Sequence, residues 1–177
     1  KIVKEKYPTA DSEYPGTGAA GGLGYAFFNF TNSKLESGIK FIKSYGIEVV
    51  VRILSAHRTP EELTRFLEEI KDNTDVIIVA AGKAAHLPGV IAAQTLIPVV
   101  GLPIKSSTMD GMDSLLSIVQ MPSGIPVATV TIDSGMNAAL MAIQIASVKY
   151  PVLREKLAAY RKEMADKVLA DDASVEF

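Results

Sequence analysis

Short runs of apolar, mostly β-branched residues alternate along the chain with amphipathic segments. The apolar runs predict strands at about 25–30, 47–54, 75–80, 97–102 and 126–132, and the segments between and after them predict helices at about 34–45, 60–72, 85–96, 110–120, 135–148 and 151–170. The strand runs are continuously apolar rather than alternating. This pattern predicts a doubly wound α/β domain with a parallel sheet buried on both faces.

The last predicted helix is long and amphipathic. It begins with Pro151, and its apolar residues recur at spacings of three and four: Leu153, Leu157, Tyr160, Met164 and Val168. This stripe fits packing on the chain's own sheet or on a partner, and the sequence favours neither.

Length and charge narrow the class of protein. The chain has 177 residues and a formal net charge of −2. This length suits one domain, and the charge provides no basic surface for nucleic acid or an anionic membrane. No apolar stretch reaches the roughly 18 residues that a membrane-spanning helix needs. We therefore expect neither nucleic acid nor a membrane as a partner.

The absence of cysteine from the sequence excludes disulfides, thiolate chemistry and Cys-ligated zinc, and it agrees with a cytoplasmic location. The two histidines are not accompanied by the spacings of metal-binding motifs, so no metal is expected. No signal peptide is visible.

A glycine-rich segment, GTGAAGGLG, occupies residues 16–24 and formally contains the G-x-G-x-x-G pattern. That pattern indicates a dinucleotide site only when a strand directly precedes it, and Ser-Glu-Tyr-Pro at 12–15 does not form one. We therefore interpret the segment as flexible or tightly turned and do not expect a dinucleotide site there.

Both histidines lie in predicted strand-to-helix turns. His57 belongs to SAHRTP (55–60), and His86 belongs to AGKAAHLPG (81–89). In a parallel sheet these turns share the carboxyl edge, where open α/β sheets hold ligands. We expect the two imidazoles, together with Arg58 and Lys83, to converge on a crevice that binds an anion and moves a proton. The alternative is that the histidines are surface or capping residues and the two cations are solvated loop charges.

Two further features of the predicted strand-to-helix loops each have more than one explanation. The small residues around Gly82 allow a ligand to approach the backbone, or they allow close packing of a helix on the sheet. The hydroxyl-rich loop at 105–108 suits hydrogen bonds to a ribose or phosphate. Alternatively, Thr108 or Asp110 caps the helix that follows.

Four stretches resemble the N5-carboxyaminoimidazole ribonucleotide mutase family of purine biosynthesis, over about residues 46–169. They are SAHRTP, AGKAAHLPGVIAAQTLIPVVGLP, DGMDSLLSIVQMPSGIPVATV and NAALMAIQIA. The resemblance implies a flavodoxin-like three-layer sheet and a homo-octamer whose active sites lie between subunits. It also implies that the enzyme uses no metal or organic cofactor.

In this family the carboxylate of the substrate carbamate moves from N5 to C4 of an aminoimidazole ribonucleotide. The resemblance implies that His57 is the catalytic histidine, which gives one proton and takes another, and that Arg58 holds the 5'-phosphate. It also implies that further substrate-binding positions are Ser55, Ala56, Gly82, Lys83, Ala85, His86 and Leu87.

The family's first strand ends in Gly-Ser-x-Ser-Asp, whose serine and aspartate contact phosphate and ribose. A gapless count back from His57 places Phe-Phe-Asn-Phe-Thr (27–31) there, so none of those residues is present. The second hypothesis is therefore a catalytically impaired oligomeric scaffold that binds ribonucleotides.

The segment at residues 14–43 instead resembles a glycerate kinase. Its sequence is YPGTGAAGGLGYAFFNFTNSKLESGIKFIK. We interpret residues 1–43 as a kinase-like segment that contributes a first strand and helix, and residues 44–177 as the mutase-like domain. We therefore interpret the chain as a chimera whose join lies between about Leu35 and Gly46. Kinase activity is not expected, because so short a fragment lacks most of a nucleotide site.

Overall fold

The computed structural model describes residues 24–28, as backbone, and residues 34–175. The described part of the chain forms five strands and six helices in alternation. The strands are β1 (Gly24–Phe28), β2 (Glu48–Arg52), β3 (Val76–Gly82), β4 (Val99–Ile104) and β5 (Ala128–Thr129). The helices are α1 (Glu36–Ser44), α2 (Pro60–Ile70), α3 (Leu87–Ala92), α4 (Met112–Val119), α5 (Gly135–Ala146) and α6 (Pro151–Ala173).

The strands form one sheet in the order β2-β1-β3-β4-β5, and each neighbouring pair is parallel. β1 therefore lies inside the sheet, with Tyr25 opposite Val49 of β2 on one side and Val76 of β3 on the other. The winding direction reverses between β1 and β3. Such a reversal opens a crevice beyond the carboxyl ends of the strands.

Helices cover both faces of the sheet. Alternate residues of β3 point to opposite faces, so that Ile78 joins a core with α1, α5 and α6, whereas Ile77 joins a core with α2, α3 and α4. Both residues are fully buried. The predicted doubly wound, flavodoxin-like three-layer architecture is confirmed.

Two elements are shorter than the pattern predicts. The helix predicted at 85–96 extends only over Leu87–Ala92, because the chain turns at Ala93 toward Pro98, which cannot continue a helix. The strand predicted at 126–132 pairs only at Ala128–Thr129. It lies at the sheet edge, and beyond Thr129 two isolated backbone bonds to β4 remain, from the Val130 N–H to the Gly101 carbonyl (3.0 Å) and from the Asp133 N–H to the Pro103 carbonyl (2.9 Å).

The long C-terminal helix is present and has two unlike halves. In the first half, Leu153 and Leu157 are buried against the chain's own core. From residue 161 to 175 every residue is exposed, including Met164, Val168 and Leu169. Packing on the chain's own sheet therefore accounts for the first half only. Among the described helices, none combines the length and apolar character needed to cross a membrane.

α1 crosses α5 at very short range. A Cβ atom on Gly38 would lie 2.2 Å from the carbonyl oxygen of Gly135, and a Cβ on Gly135 would lie 2.3 Å from that of Lys34. The boundary expected between 43 and 44 falls inside α1, whose Ile42 is part of the common core. The glycine-rich segment at 16–23 and the end of the 27–31 stretch lie outside the described residues.

Candidate active site

The turn after β2 is closed by hydrogen bonds between its first and last residues. The Ser55 carbonyl accepts from the backbone N–H and the hydroxyl of Thr59 (3.0 and 3.1 Å), and the Ser55 N–H donates to the Thr59 hydroxyl (2.9 Å). The Ser55 hydroxyl accepts from the Arg58 N–H at 3.2 Å. Pro60 then begins α2. The turn thus holds its shape through Ser55 and Thr59 and leaves the His57 and Arg58 side chains exposed.

The turn after β3 is equally tight. Lys83 has a left-handed backbone (φ 58°), and the Ala85 and His86 N–H groups donate two residues back, to Lys83 and Ala84. His86 then caps α3, where its carbonyl accepts from the Val90 N–H at 3.0 Å. The imidazole of His86 is exposed.

The two turns bring the two imidazoles into direct contact. His57 Nε2 lies 3.0 Å from His86 Nδ1, and the rings meet nearly edge to face, with centroids 5.1 Å apart and an interplanar angle of 81°. A hydrogen bond at this distance requires one nitrogen to carry hydrogen and the other to accept it. The structure therefore joins the two histidines at the edge of the sheet where the sequence predicts their convergence.

The other residues expected at the site divide into exposed and buried groups. Arg58 and Lys83 are exposed, and Ser55, Ala56 and Gly82 are partly buried. Ala85 and Leu87 are buried in the core on the face of the sheet that α2, α3 and α4 cover.

Arg58 also borders an open cleft of about 540 Å³ at the start of α2. The cleft is lined further by Thr59, Pro60, Glu61, Glu62 and Arg65. Hydrogen bonds from Arg65 and Arg52 lower the pKa of the Glu62 carboxyl below its usual value. Within this cleft, Glu62 is therefore already engaged with Arg65.

A Cβ atom on Gly82 would lie 3.3 Å from the Ile104 carbonyl oxygen of the neighbouring strand β4, and no helix atom is among its nearest neighbours. Both explanations of the small residues in the second turn, ligand approach and helix packing, therefore stay predictions. Among the described residues, no group of three or more histidines, cysteines and carboxylates is placed to hold a metal ion.

The loop after β4 does not use Thr108 or Asp110 as a helix cap. Gly111 occupies the cap position with φ 97°, and no side chain bonds to the first turn of α4 from there. Instead the Ser106 hydroxyl donates to Asp113 at 2.7 Å and accepts from the Thr108 N–H at 3.3 Å. Asp110, with a left-handed backbone, pairs with Lys105.

Asp133 is a residue of this edge that sequence reasoning missed. Its carboxylate accepts the Lys105 N–H at 2.9 Å and pairs with the Lys34 ammonium at 2.9 Å, which joins the loop after β4 to the start of α1. Burial alone would raise the pKa of Asp133, but the bonds from Lys105 and Lys34 outweigh it and lower that pKa. The available signal was an acidic residue at the end of a strand, directly before the Ser134 cap of α5.

We predict that Asp133→Asn lowers the free energy of unfolding by about 1–2 kcal/mol at neutral pH, because it removes a charge-assisted contact. The folded-state pKa lies below the unfolded value of about 3.9. The stabilisation is therefore present above about pH 4 and is lost as the pH falls through the folded-state pKa. Denaturation curves of both proteins from pH 7 down to pH 2.5 should show their stabilities converging.

The matched control is Asp110→Asn, which removes an exposed pair with the same Lys105. An exposed pair contributes at most about 1 kcal/mol. If Asp133→Asn costs no more than this control, or if its cost does not change with pH, the assignment of a stabilising role to Asp133 is wrong.

Comparison with known families gives two overlapping matches. The profile of the AIR carboxylase family matches residues 32–167, and that of the glycerate kinase family matches residues 1–55. The first covers most of the chain, including both histidines, and the second ends at Ser55. The two matches share residues 32–55.

Curated relatives and solved structures agree with the larger match. The chain is 50% identical over 135 residues to the N5-carboxyaminoimidazole ribonucleotide mutase of Pyrococcus horikoshii, covering 76% of each protein. It is 49% identical over 143 residues to the mutase of Methanocaldococcus jannaschii, covering 80% of this chain and 88% of the relative. The crystal structure of Treponema denticola PurE superposes with a TM-score of 0.78 at 27% identity, covering 88% of this chain and 99% of the other. The chain therefore belongs to the AIR carboxylase family.

Proposed function

We propose that this chain is an N5-carboxyaminoimidazole ribonucleotide mutase of purine biosynthesis. It moves the substrate carboxylate from N5 to C4 and gives 4-carboxy-5-aminoimidazole ribonucleotide. The observation that carries the proposal is the contact between His57 and His86, in a chain about half identical to relatives named as this mutase. Arg58 stands next to His57 in the same turn.

The reaction requires one proton to be added to the substrate and one proton to be removed from it. Protonation of the carbamate nitrogen breaks its bond to the carboxyl carbon, and the electron pair stays on nitrogen while carbon dioxide leaves. C4 then attacks the retained carbon dioxide, and the hydrogen on C4 is removed as a proton. No proton is consumed overall. Histidine suits both steps because its pKa is close to neutral, and we assign this role to His57.

Substrate binding is assigned to the residues around the two turns. Arg58 holds the 5'-phosphate, for which a guanidinium offers paired donors. The remaining contacts come from Ser55, Ala56, Gly82, Lys83, Ala85, His86 and Leu87. The closed Ser55–Thr59 turn supports this assignment, because it fixes the backbone from which Arg58 extends.

The N-terminal segment supplies β1, an inner strand that lies between β2 and β3. In its sequence, however, Phe-Phe-Asn-Phe-Thr (27–31) stands where the mutases carry Gly-Ser-x-Ser-Asp. We attribute this to a chimeric origin, which the glycerate kinase match over residues 1–55 supports. The impaired scaffold is the weaker hypothesis, since the two relatives described above are named as mutases.

We predict that replacing residues 27–31 by Gly-Ser-Asn-Ser-Asp lowers the KM for the ribonucleotide. Each restored charge-assisted hydrogen bond contributes about 1.5–3 kcal/mol, so the decrease should be about tenfold or more. Steady-state kinetics on both proteins measures it. The control replacement, Gly-Ala-Asn-Ala-Ala, restores the glycine but no polar contact and should leave KM unchanged. An unchanged or higher KM in the polar variant would contradict the alignment.

We further propose that the enzyme assembles as a homo-octamer with active sites between subunits. Exposed apolar residues support assembly: Met112, Leu116 and Val119 form a stripe along α4, and the second half of α6 adds another. Exposure of both histidines in the single chain also fits a site completed by a neighbour. We place the enzyme in the cytoplasm, with a small ribonucleotide as its partner and neither nucleic acid nor a membrane.

The proposed function is tested by assaying purified protein for conversion of N5-carboxyaminoimidazole ribonucleotide, with the assembly's mass measured by light scattering on the same sample. Turnover of the substrate is the expected result. An octamer that binds the ribonucleotide without converting it would favour the scaffold hypothesis. Failure to bind or convert substrate would remove both.

A further inference from the structure

The His57–His86 contact engages one of the two ring nitrogens of His57. The atoms in contact are Nε2 of His57 and Nδ1 of His86. The other nitrogen of His57, Nδ1, is therefore the one left to face a substrate. The two histidines are attached to different strands through turns that are both held by backbone hydrogen bonds. Their contact is therefore a product of the fold rather than of a flexible side chain alone.

We propose, on the basis of the mutase function proposed above, that the proton of the reaction is held by the histidine pair rather than by His57 alone. His57 exchanges the proton with the substrate through Nδ1. His86 is a positioning residue that supplies and recovers a proton through its Nδ1, along the hydrogen bond to His57 Nε2.

The proton balance of this relay closes over the two steps. At the start His86 carries hydrogen on both nitrogens and donates from Nδ1 to His57 Nε2, while His57 carries hydrogen on Nδ1. His57 Nδ1 then protonates the carbamate nitrogen, the nitrogen–carbon bond breaks, and the hydrogen on His86 Nδ1 moves to His57 Nε2. Both rings are now neutral, and the same hydrogen bond runs in the opposite direction. When C4 has bonded to carbon dioxide, His57 Nδ1 takes the C4 proton and Nε2 returns its hydrogen to His86.

The relay places one positive charge on the pair before and after the reaction. The charged groups on the turns and helix starts of this edge, within the described residues, are Lys34, Glu36, Arg58, Glu61, Glu62, Lys83, Lys105, Asp110, Asp113 and Asp133. Because one hydrogen is shared along the contact, the relay never needs two imidazolium charges side by side.

Two substitutions at His86 distinguish a proton relay from a support role, in which His86 only holds His57 in place. His86→Asn retains an amide that can donate or accept near the Nδ1 position but cannot carry a proton, whereas His86→Ala removes the contact entirely. A relay predicts that both variants lose kcat by about 10–100-fold, below the full effect of losing an acid–base group, in addition to any rise in KM from the lost His86 contact with the substrate. A support role predicts that His86→Asn is active and that only His86→Ala is impaired.

The dependence of kcat on the deuterium fraction of the solvent, called the proton inventory, distinguishes the two roles. A residue that only holds His57 in place would not affect it. In mixtures of light and heavy water, wild-type kcat should depend non-linearly on the deuterium fraction, because two hydrogens move together. In His86→Asn the dependence should become linear. A linear dependence in the wild type, or a kcat of His86→Asn within about threefold of the wild type, would overturn the relay.

Gln94→Ala provides a matched control. The Gln94 side chain accepts a hydrogen bond from the Thr64 hydroxyl at 2.7 Å and so links α2 to the segment after α3, the same two crossovers that carry the histidines. Its kcat and proton inventory should equal those of the wild type, and a change in either would overturn the assignment to His86. A wild-type protein without turnover would refute the mutase function itself. An active wild type with an active His86→Asn would refute only the relay.

Discussion

Replacing His57 by asparagine is expected to lower kcat for the mutase reaction by about 10²–10⁴-fold, the range typical for loss of an acid–base group. The substitution removes the only group that both gives and takes the proton in our assignment. It should not disturb the fold, because the imidazole is exposed and the turn is held by Ser55 and Thr59. Substrate binding should persist, since Arg58 and the residues of the second turn remain. Steady-state kinetics and calorimetric titration with the ribonucleotide measure the two effects separately.

Glu68→Gln is a suitable control for His57→Asn. It lies near the far end of α2 and removes an exposed ion pair with Lys71, so its kinetics should match those of the wild type. If His57→Asn turns over within about threefold of the wild type, His57 is not the acid–base group. If it loses binding as well as turnover, His57 acts in substrate binding rather than in proton transfer.

The position of the two histidines could be predicted because it depends on local patterns. Apolar runs locate β2 and β3, and the residues that follow a parallel strand must lie at the carboxyl edge. That argument places His57 and His86 at one edge without any knowledge of side-chain geometry. It does not predict the 3.0 Å contact between His57 Nε2 and His86 Nδ1, because that contact depends on the backbone path of both turns.

Asp133 illustrates what the sequence could not provide. Its partners are Lys34 and Lys105, one a hundred positions away and neither in a recognisable motif. The contact exists because α1 and α5 begin side by side, which is a consequence of strand order. Strand order is set by packing between distant segments, so a pattern that predicts β1 as a strand does not place it between β2 and β3.

The crossing of α1 and α5 joins the N-terminal segment to the rest of the domain, in addition to the pairing of β1 with β2 and β3. Gly135 packs directly on the backbone of Lys34 and Leu35, with no side chain between them. On the other side of the crossing, Gly38 contacts the carbonyl of Gly135. Because backbone atoms cannot rotate out of the way, any side chain here must push the helices apart. The crossing therefore packs α1 into the common core with α5, while the position of a join between the two family segments stays a prediction.

Gly135→Ala is therefore expected to lower the free energy of unfolding by about 3 kcal/mol, the upper end of the usual cost of overpacking. The added Cβ would lie 2.3 Å from the Lys34 carbonyl oxygen, and relief would move Lys34 away from Asp133. Urea denaturation measures the loss. The control is Gly124→Ala, whose Cβ meets nothing within 4 Å although the backbone is left-handed at φ 95°; it should cost only about 1 kcal/mol. If Gly135→Ala costs no more than Gly124→Ala, α1 does not pack on α5 as described.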